Sequence, residues 1–308
     1  MKRKKEREGD RMPKPATNAE SLVMISVQGK VASPTARGDF EVDHEGKPFV
    51  LPGSGGIVYN VKVGDLVYGW TGDHIEPGVS TVADEKDRFS KINAGYNFYA
   101  CIGNEVIVVS EEAKGSKGTV TGHHGGAEHV LIDFPDDVLK KLTLESKFLI
   151  RAQGQGLELL DYPQIKVYNL DPQLFDKMGI EDLNGKIQVP VAATVPGKLM
   201  GSGVGSTRMA AGDYDIMTSD KEALKEYGLG RLRFGDIVAI TDHDNTYGRC
   251  YRKGAITIGV VIHSDCRFAG HGPGVCTILS CAKPLIEPKL QEGANIADIL
   301  KIGRARRG

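Results

Sequence analysis

The sequence predicts a mainly β (α+β) protein, built as two β-rich, barrel-like or sandwich-like units with a few short helices. Three observations carry this. Short runs rich in Val and Ile recur along the chain, and glycine, with 39 residues, interrupts them. Only three segments read as helices, two of them with paired start and stop signals. No GxGxxG opens a helix after a strand, and no GxxxxGK[ST] occurs, so the usual nucleotide-binding βαβ signatures are missing from the sequence.

The elements follow in order. "LVMISVQGKVA" is the first strand pair or a bulged strand. "GDLVYGW", "NEVIVVS", "GTVTG", "HVLIDF" and "KFLIRA" are short strands of the first unit. "KIQVPVAATV", "GDIVAI", "AITIGVVI" and "CTILS" are strands of the second. "DPQLFDKMG" is a helix with Asp171 as cap, Pro172 at its first position and Gly179 as stop. "SDKEALKEYG" pairs Ser219 with Glu222 as a capping box, and Gly228 ends it. "ANIADILKIG" is the last helix.

Residues 1–20 are expected to be a disordered leader, because "MKRKKEREGDRMPKP" is polar, mixed-charge and proline-bearing, and no long apolar run follows closely enough for a signal peptide. A β-rich domain then spans 21–160, a second spans 161–290, and 291–308 form a short helix and a basic tail. The polar breaks "DYPQ", "NLDPQ" and "EDLNGK" set the division. "SKGTVTGHHGGAEHVLIDF" has the shape of an SH3-type hairpin within the first domain. An internal echo links the domains. "KVGDLVYGWTGDHIEPG" and "RFGDIVAITDHDNTYG" each place Gly-Asp before an apolar run and an Asp-His pair after it. Chance or shared turn chemistry is the plainer explanation, and a duplicated β unit is the alternative.

The 39 basic and 40 acidic residues leave a formal charge of -1. That balance gives no electrostatic case for a nucleic-acid partner. No apolar run reaches the roughly 20 residues of a membrane span. The five cysteines show no CxxC spacing. They read as reduced thiols, which suits a cytoplasmic protein. Many short strands leave exposed edges, so a homo-oligomer is expected.

The chemistry-bearing residues lie in glycine-rich turns. In "TGHHGGAEHV", neighbouring strand residues point to opposite faces, so at most one of His123 and His124 serves a given site. In "STRMAAGDYDIM", Asp213 and Asp215 share a face if the segment is a strand. With "VIHSDCRFAGHGPGV", these segments give a metal set of His123, His129, Asp213 and His263. Imidazole with carboxylate suits a divalent ion such as Zn, Ni, Mn or Fe. Catalytic candidates are His243 and Asp244, at the end of a strand, and His271, between glycines. A small anionic ligand would be held by the "GSGVGS" loop, through Gly201 and Gly203, with Arg208, Asp215 and Arg249. Asp73, His74 and Glu76 in "GWTGDHIEPGVS" form a secondary group, either an acid–base pair or a hydrogen-bonded loop. Each cluster also has a plain structural explanation. Cys266, in particular, reads as a small core residue.

"LPGSGG", "GDHIEPGVS", "GHHGGAEHVLIDF", "RAQGQGLELLD" and "SDCRFAGHGPGV", taken in this order, resemble the bacterial and archaeal family known as domain of unknown function 4438. The resemblance implies no reaction and transfers no catalytic residue. From the residues themselves, the expected function is a metal-dependent hydrolase of a small amide, ester or phosphate. The alternative is a non-catalytic β protein that binds a ligand, a protein or RNA. Convergence of the histidine turns on one concavity separates the two.

Overall fold

The computed structural model describes residues 13–35, 40–83, 86–204 and 212–306. Residues 1–12 of the expected leader, Arg208 of the expected ligand loop, and 307–308 lie outside the described residues. The architecture is mainly β, with few short helices.

Six strands of the first half close on themselves. They are Ile25–Val31, Lys147–Ala152, Glu105–Val108, Lys117–His124, His129–Asp133 and Gly78–Val82. All neighbours are antiparallel, and Lys30 opposite Val82 completes the ring. Closure removes the exposed edges that a flat sheet would present. Inward positions are fully buried and apolar, among them Val106, Val120, Phe134, Phe148 and Ile150. The rings of Phe134 and Phe148 lie 5.5 Å apart. The "KGTVTGHH" and "HVLID" strands form one hairpin, with a register shift between Val120 and Gly122.

The second half is an open, curved sheet. Its order is Ala193–Pro196, Ile237–Asp244, Cys250–Val261, Gly274–Cys281, Tyr214–Ile216 and Met200–Val204, with Lys166–Val167 added beside Gly274–Cys281. The first pair is parallel and the rest are antiparallel. "KIQVPVAATV" divides in two. Ile187–Val191 joins a separate three-stranded sheet, and Ala193–Pro196 joins the main one.

Helix Pro172–Lys177 starts as expected, with Asp171 accepting from the backbone N–H of Gln173 and Leu174. Helix Lys221–Glu226 is capped by Asp220, not Ser219. Asp220 sits one residue closer to the N–H groups of Glu222 and Ala223 and accepts from both. Asn295 caps Ile296–Leu300. Helix Lys91–Tyr99, capped by Ser90, was not foreseen.

"GDLVYGW" is not a strand. Only Leu66 bridges, to Arg233. The two Gly-Asp turns instead lie against each other. Gly64 N–H donates to Phe234 O, and Phe234 N–H donates to Asp65 O. Asp65 accepts from Lys62 N–H, and Asp236 accepts from Arg233 N–H, so the two turns share one device. Both glycines have positive φ, 98° and 86°. The chain end then locks the pair. Arg304 grips Asp65 with two nitrogens, and Asn295 donates to Asp236. Arg306 pairs with the buried Asp133. Two arginines of the basic tail are thus held by the protein's own carboxylates.

One core runs through both halves. It includes Val63, Ile102 and Leu131 from the first half and Ile237, Ile258, Ile262 and Ile278 from the second. Gly122 allows this approach, since a Cβ there would stand 2.3 Å from Ile262 Cγ2. No helix among the described residues is long and apolar enough to cross a membrane.

Candidate metal centre

The turn 73–76 docks onto the turn after Cys250–Val261. Ser264 N–H donates to Ile75 O, and Ile75 N–H donates to Ser264 Oγ. This exchange brings His74 and His263 together, with ring centroids 4.9 Å apart. His124 ends its strand directly opposite His129. Paired residues share a face, so both rings leave on the side of Glu76. The next residue, Gly125, donates its N–H to Asp213 at 2.8 Å. The barrel hairpin is thereby tied to the second sheet.

Three imidazoles are each fixed through Nδ1. His74 Nδ1 bonds Asp73 at 2.7 Å, His124 Nδ1 bonds Glu76, and His263 Nδ1 donates to the carbonyl of Ser264 at 2.8 Å. Fixing one ring nitrogen sets the tautomer and aims the other. One donor atom from each of the three rings lies within 4.8 Å of the others. Asp213 and Asp215 face them. His263 Nε2 stands 2.9 Å from Asp213 Oδ2 and 3.5 Å from Asp215 Oδ1. Asp213, Asp215 and His263 form a second group with metal-ligand spacing. His271 Nδ1 lies 3.0 Å from Asp215 Oδ2 and 3.2 Å from His74 Nε2. His74, His271 and Cys266 form a third group.

The surroundings are dry. The side chains of His74, His124, His263, Asp213 and Asp215 are each exposed by 5% or less, and that of His271 by 30%. Burial works against Glu76 as a charge, but His129 and His124 outweigh it and hold its carboxyl well below its ordinary range. Burial likewise opposes charge on His129, and Glu76 raises it above its ordinary value. Glu76 also accepts from Gly55 N–H at 2.7 Å and from Ser80. It is a fully satisfied buried anion that positions His124. Burial lowers His74, against the pull of Asp73, so the ring presents a lone pair. Burial opposes ionised Asp215 too, but His263, His271 and His74 hold it low. On His263, burial is outweighed by Asp213 and Asp215, and its value rises well above normal.

Two features fit a cation in this place. His263 Nε2 and Asp213 Oδ2 are buried and face each other at 2.9 Å, outside hydrogen-bond geometry. At Gly274, a Cβ would stand 2.0 Å from Asp213 Oδ2 and 2.3 Å from His263 Nε2. Only glycine leaves that space open. His74 itself sits at φ 51°, in the left-handed region that costs a non-glycine residue about 1 kcal/mol or more. Such strain persists where the surroundings impose it.

The sequence-selected residues divide sharply. Asp213, Asp215, His263, His271, His74, Asp73 and Glu76 meet at this centre. His129 meets it through Glu76, at 3.0 Å from both oxygens, rather than through a converging nitrogen. His123 lies one strand position from His124 and so on the opposite face, where it is fully buried. His124, the neighbour it displaced in the sequence reading, was findable from the hairpin register opposite His129. His243 and Asp244 are elsewhere. His243 Nδ1 bonds Thr257 Oγ1 at 3.0 Å, and Asp244 holds Thr246 and Arg252. Arg249 donates to the backbone carbonyls of Gly201 and Met200, so it braces the Met200–Val204 strand. A Cβ at Gly201 would strike Gly270 O. Gly203 belongs to the same strand.

Beside His74 opens a cleft lined by Phe40, Phe49, Leu51, Phe268, Glu41 and Asp73. The rings of Phe49 and Phe268 meet edge to face at 5.5 Å.

Fold and site together define a mainly β protein whose two halves meet at a buried imidazole–carboxylate centre. The chain belongs to the family described as Domain of unknown function (DUF4438). Its N-terminal model matches residues 40–176, and its C-terminal model matches 177–300. A solved structure described as "Crystal structure of TM1086" is similar, at 52% identity and a TM-score of 0.87, over 93% of this chain and 99% of that one. No curated protein matches the chain.

Proposed function

We propose that this protein is a metal-dependent hydrolase of small amides or esters that carry an apolar group. The observation that supports the metal is the set of three imidazoles, His74, His124 and His263, each pinned through Nδ1 and converging opposite Asp213 and Asp215. Such a mixed nitrogen and oxygen set suits Zn, Mn, Fe or Ni. A divalent ion bound there would lower the pKa of a coordinated water toward neutrality and so supply a hydroxide nucleophile. The chain's own residues do the rest. Asp73 and Glu76 hold two of the rings in register, and Ser264 holds the third. Burial excludes bulk water from the donor atoms, which strengthens every charge interaction around them.

The cleft supports the substrate class. Phe40, Phe49, Leu51 and Phe268 favour an apolar substituent, and Glu41 repels a phosphate. In the net reaction, water adds its oxygen to the acyl carbon, the C–N or C–O bond breaks, and a proton passes to the leaving amine or alcohol.

The test is a panel of acyl amides, esters and aryl phosphates. It is run on protein stripped of metal and reloaded in turn with Zn²⁺, Mn²⁺, Fe²⁺ and Ni²⁺. Metal-dependent hydrolysis of amides or esters is expected. Activity that survives chelation, or activity confined to phosphates, contradicts this reading.

A further inference from the structure

Resting on the metal-centre reading above, we propose that the site takes two divalent ions, with the Asp215 carboxylate bridging them. The two oxygens of Asp215 face different partners. Oδ1 points to His263 Nε2 at 3.5 Å. Oδ2 points to His271 Nδ1 at 3.0 Å and to His74 Nε2 at 3.8 Å. The donors therefore fall into an inner set, Asp213, Asp215 and His263, and an outer set of His74 and His271 with the other oxygen of Asp215. The inner triad and the outer pair each lie within the spacing of a single ion and share no residue.

Each half has its own geometric support. In the inner half, His263 Nε2 and Asp213 Oδ2 are buried and stand 2.9 Å apart, outside hydrogen-bond geometry. In the outer half, His74 Nε2 and His271 Nδ1 stand 3.2 Å apart. Two nitrogens bound to one tetrahedral zinc stand about 3.3 Å apart, given ligand distances near 2.05 Å. His124 lies between, with its donor near those of both His74 and His263. A carboxylate that bridges two ions about 3.5–4 Å apart is a recurring device for hydrolysis, because one ion orients the attacking water while the other polarises the substrate oxygen.

The two positions differ in access. His271 is the most exposed of the donors, and the cleft reaches His74 and Asp73 but not His263. The outer ion is thus the one that meets substrate and exchanges first. The inner ion is held deep.

Manganese is the probe. Metal-free protein is dialysed against Mn²⁺, the bound metal is counted by elemental analysis, and the spin state is read by electron paramagnetic resonance. Two Mn²⁺ per chain with an exchange-coupled signal are expected. His271→Ala should fall to one Mn²⁺ per chain with the six-line signal of an isolated ion, while its metal-free form melts at the wild-type temperature. His271→Asn serves if the alanine variant does not fold. One Mn²⁺ per chain in the wild type, unaltered by either variant, overturns the two-ion inference and leaves a single-ion hydrolase standing. No bound Mn²⁺, Zn²⁺, Fe²⁺ or Ni²⁺ overturns both.

Discussion

Asp73-His74 and Asp242-His243 follow the same Gly-Asp turn device, yet they end in opposite states. In the first pair the histidine takes the left-handed backbone, at φ 51°, and in the second the aspartate does, at φ 54°. That one-residue shift redirects the carboxylates. Asp73 accepts from His74 Nδ1, whereas Asp242 accepts from the N–H of Gly254 at 2.7 Å. His74 is left facing Asp215, His271 and His263. His243 is left in a strand, against Thr257 and the ring of Tyr214 at 6.0 Å. The same two residue types give a metal-ready imidazole in one place and a neutral core imidazole in the other. What decides between them is what a neighbouring element brings to the free ring nitrogen. Motif alone does not decide it.

The largest expected effect breaks the first region only. Asp213→Ala removes a carboxylate that faces His263 and should weaken metal binding by more than about 100-fold. His243→Ala should leave metal affinity unchanged. Titration calorimetry on both variants checks this, and an equal loss in both would erase the distinction.

Next come the two aspartates. Asp73→Asn cannot accept the His74 proton as a carboxylate does, and it should weaken metal binding by about 10- to 100-fold. Asp242→Asn should leave metal affinity intact and cost about 1 kcal/mol of stability through the bond to Gly254. Paired metal titrations and urea melts separate these outcomes.

A third prediction concerns acid. Burial, helped by the nearby Arg249, holds His243 down to about 4 from its ordinary 6.5. The unfolded chain takes up this proton near 6.5, and the folded chain only near 4. Between those values the unfolded state binds more protons. The contribution of His243 is therefore complete above pH 6.5 and is lost as the pH falls toward 4, by about 3 kcal/mol in all. His243→Gln should flatten the pH dependence of unfolding by that amount. Urea melts from pH 7.5 to 4 measure it, and identical slopes in variant and wild type would count against a neutral buried His243.

The smallest effect is at sulfur. Burial, with Asp73 nearby, pushes the Cys266 thiol up and leaves it protonated, although its sulfur lies within 4.8 Å of donor atoms of His74 and His271. Cys250 is exposed. An alkylating reagent at pH 8 should label Cys250 and spare Cys266, as peptide mass spectrometry would show.

Much of this was legible in the residues. The glycine-punctuated Val and Ile runs marked most strands, because β periodicity is a local property. Asp213 and Asp215 shared a face, as their alternation implied. The strand predicted at "GDLVYGW" failed because its backbone partner is another turn, 229 to 236, which no local pattern records. His124 and His123 could not be ranked without the register of their hairpin, and that register shifts at a bulge between Val120 and Gly122. Glu76 looked like a minor loop residue. Its weight comes from His124, His129, Ser80 and Gly55, residues up to 53 positions away. Arg249 carried the right charge for a ligand but was consumed by backbone carbonyls. Long-range partners, then, are what the sequence withheld.

The most direct measurement is an anomalous-scattering map from crystals grown with Zn²⁺, recorded above and below the zinc edge. The account predicts a peak enclosed by His74, His124, His263, Asp213 and Asp215, and none beside His243. A map with no peak there, or with its strongest peak at His243 and Asp244, would contradict it.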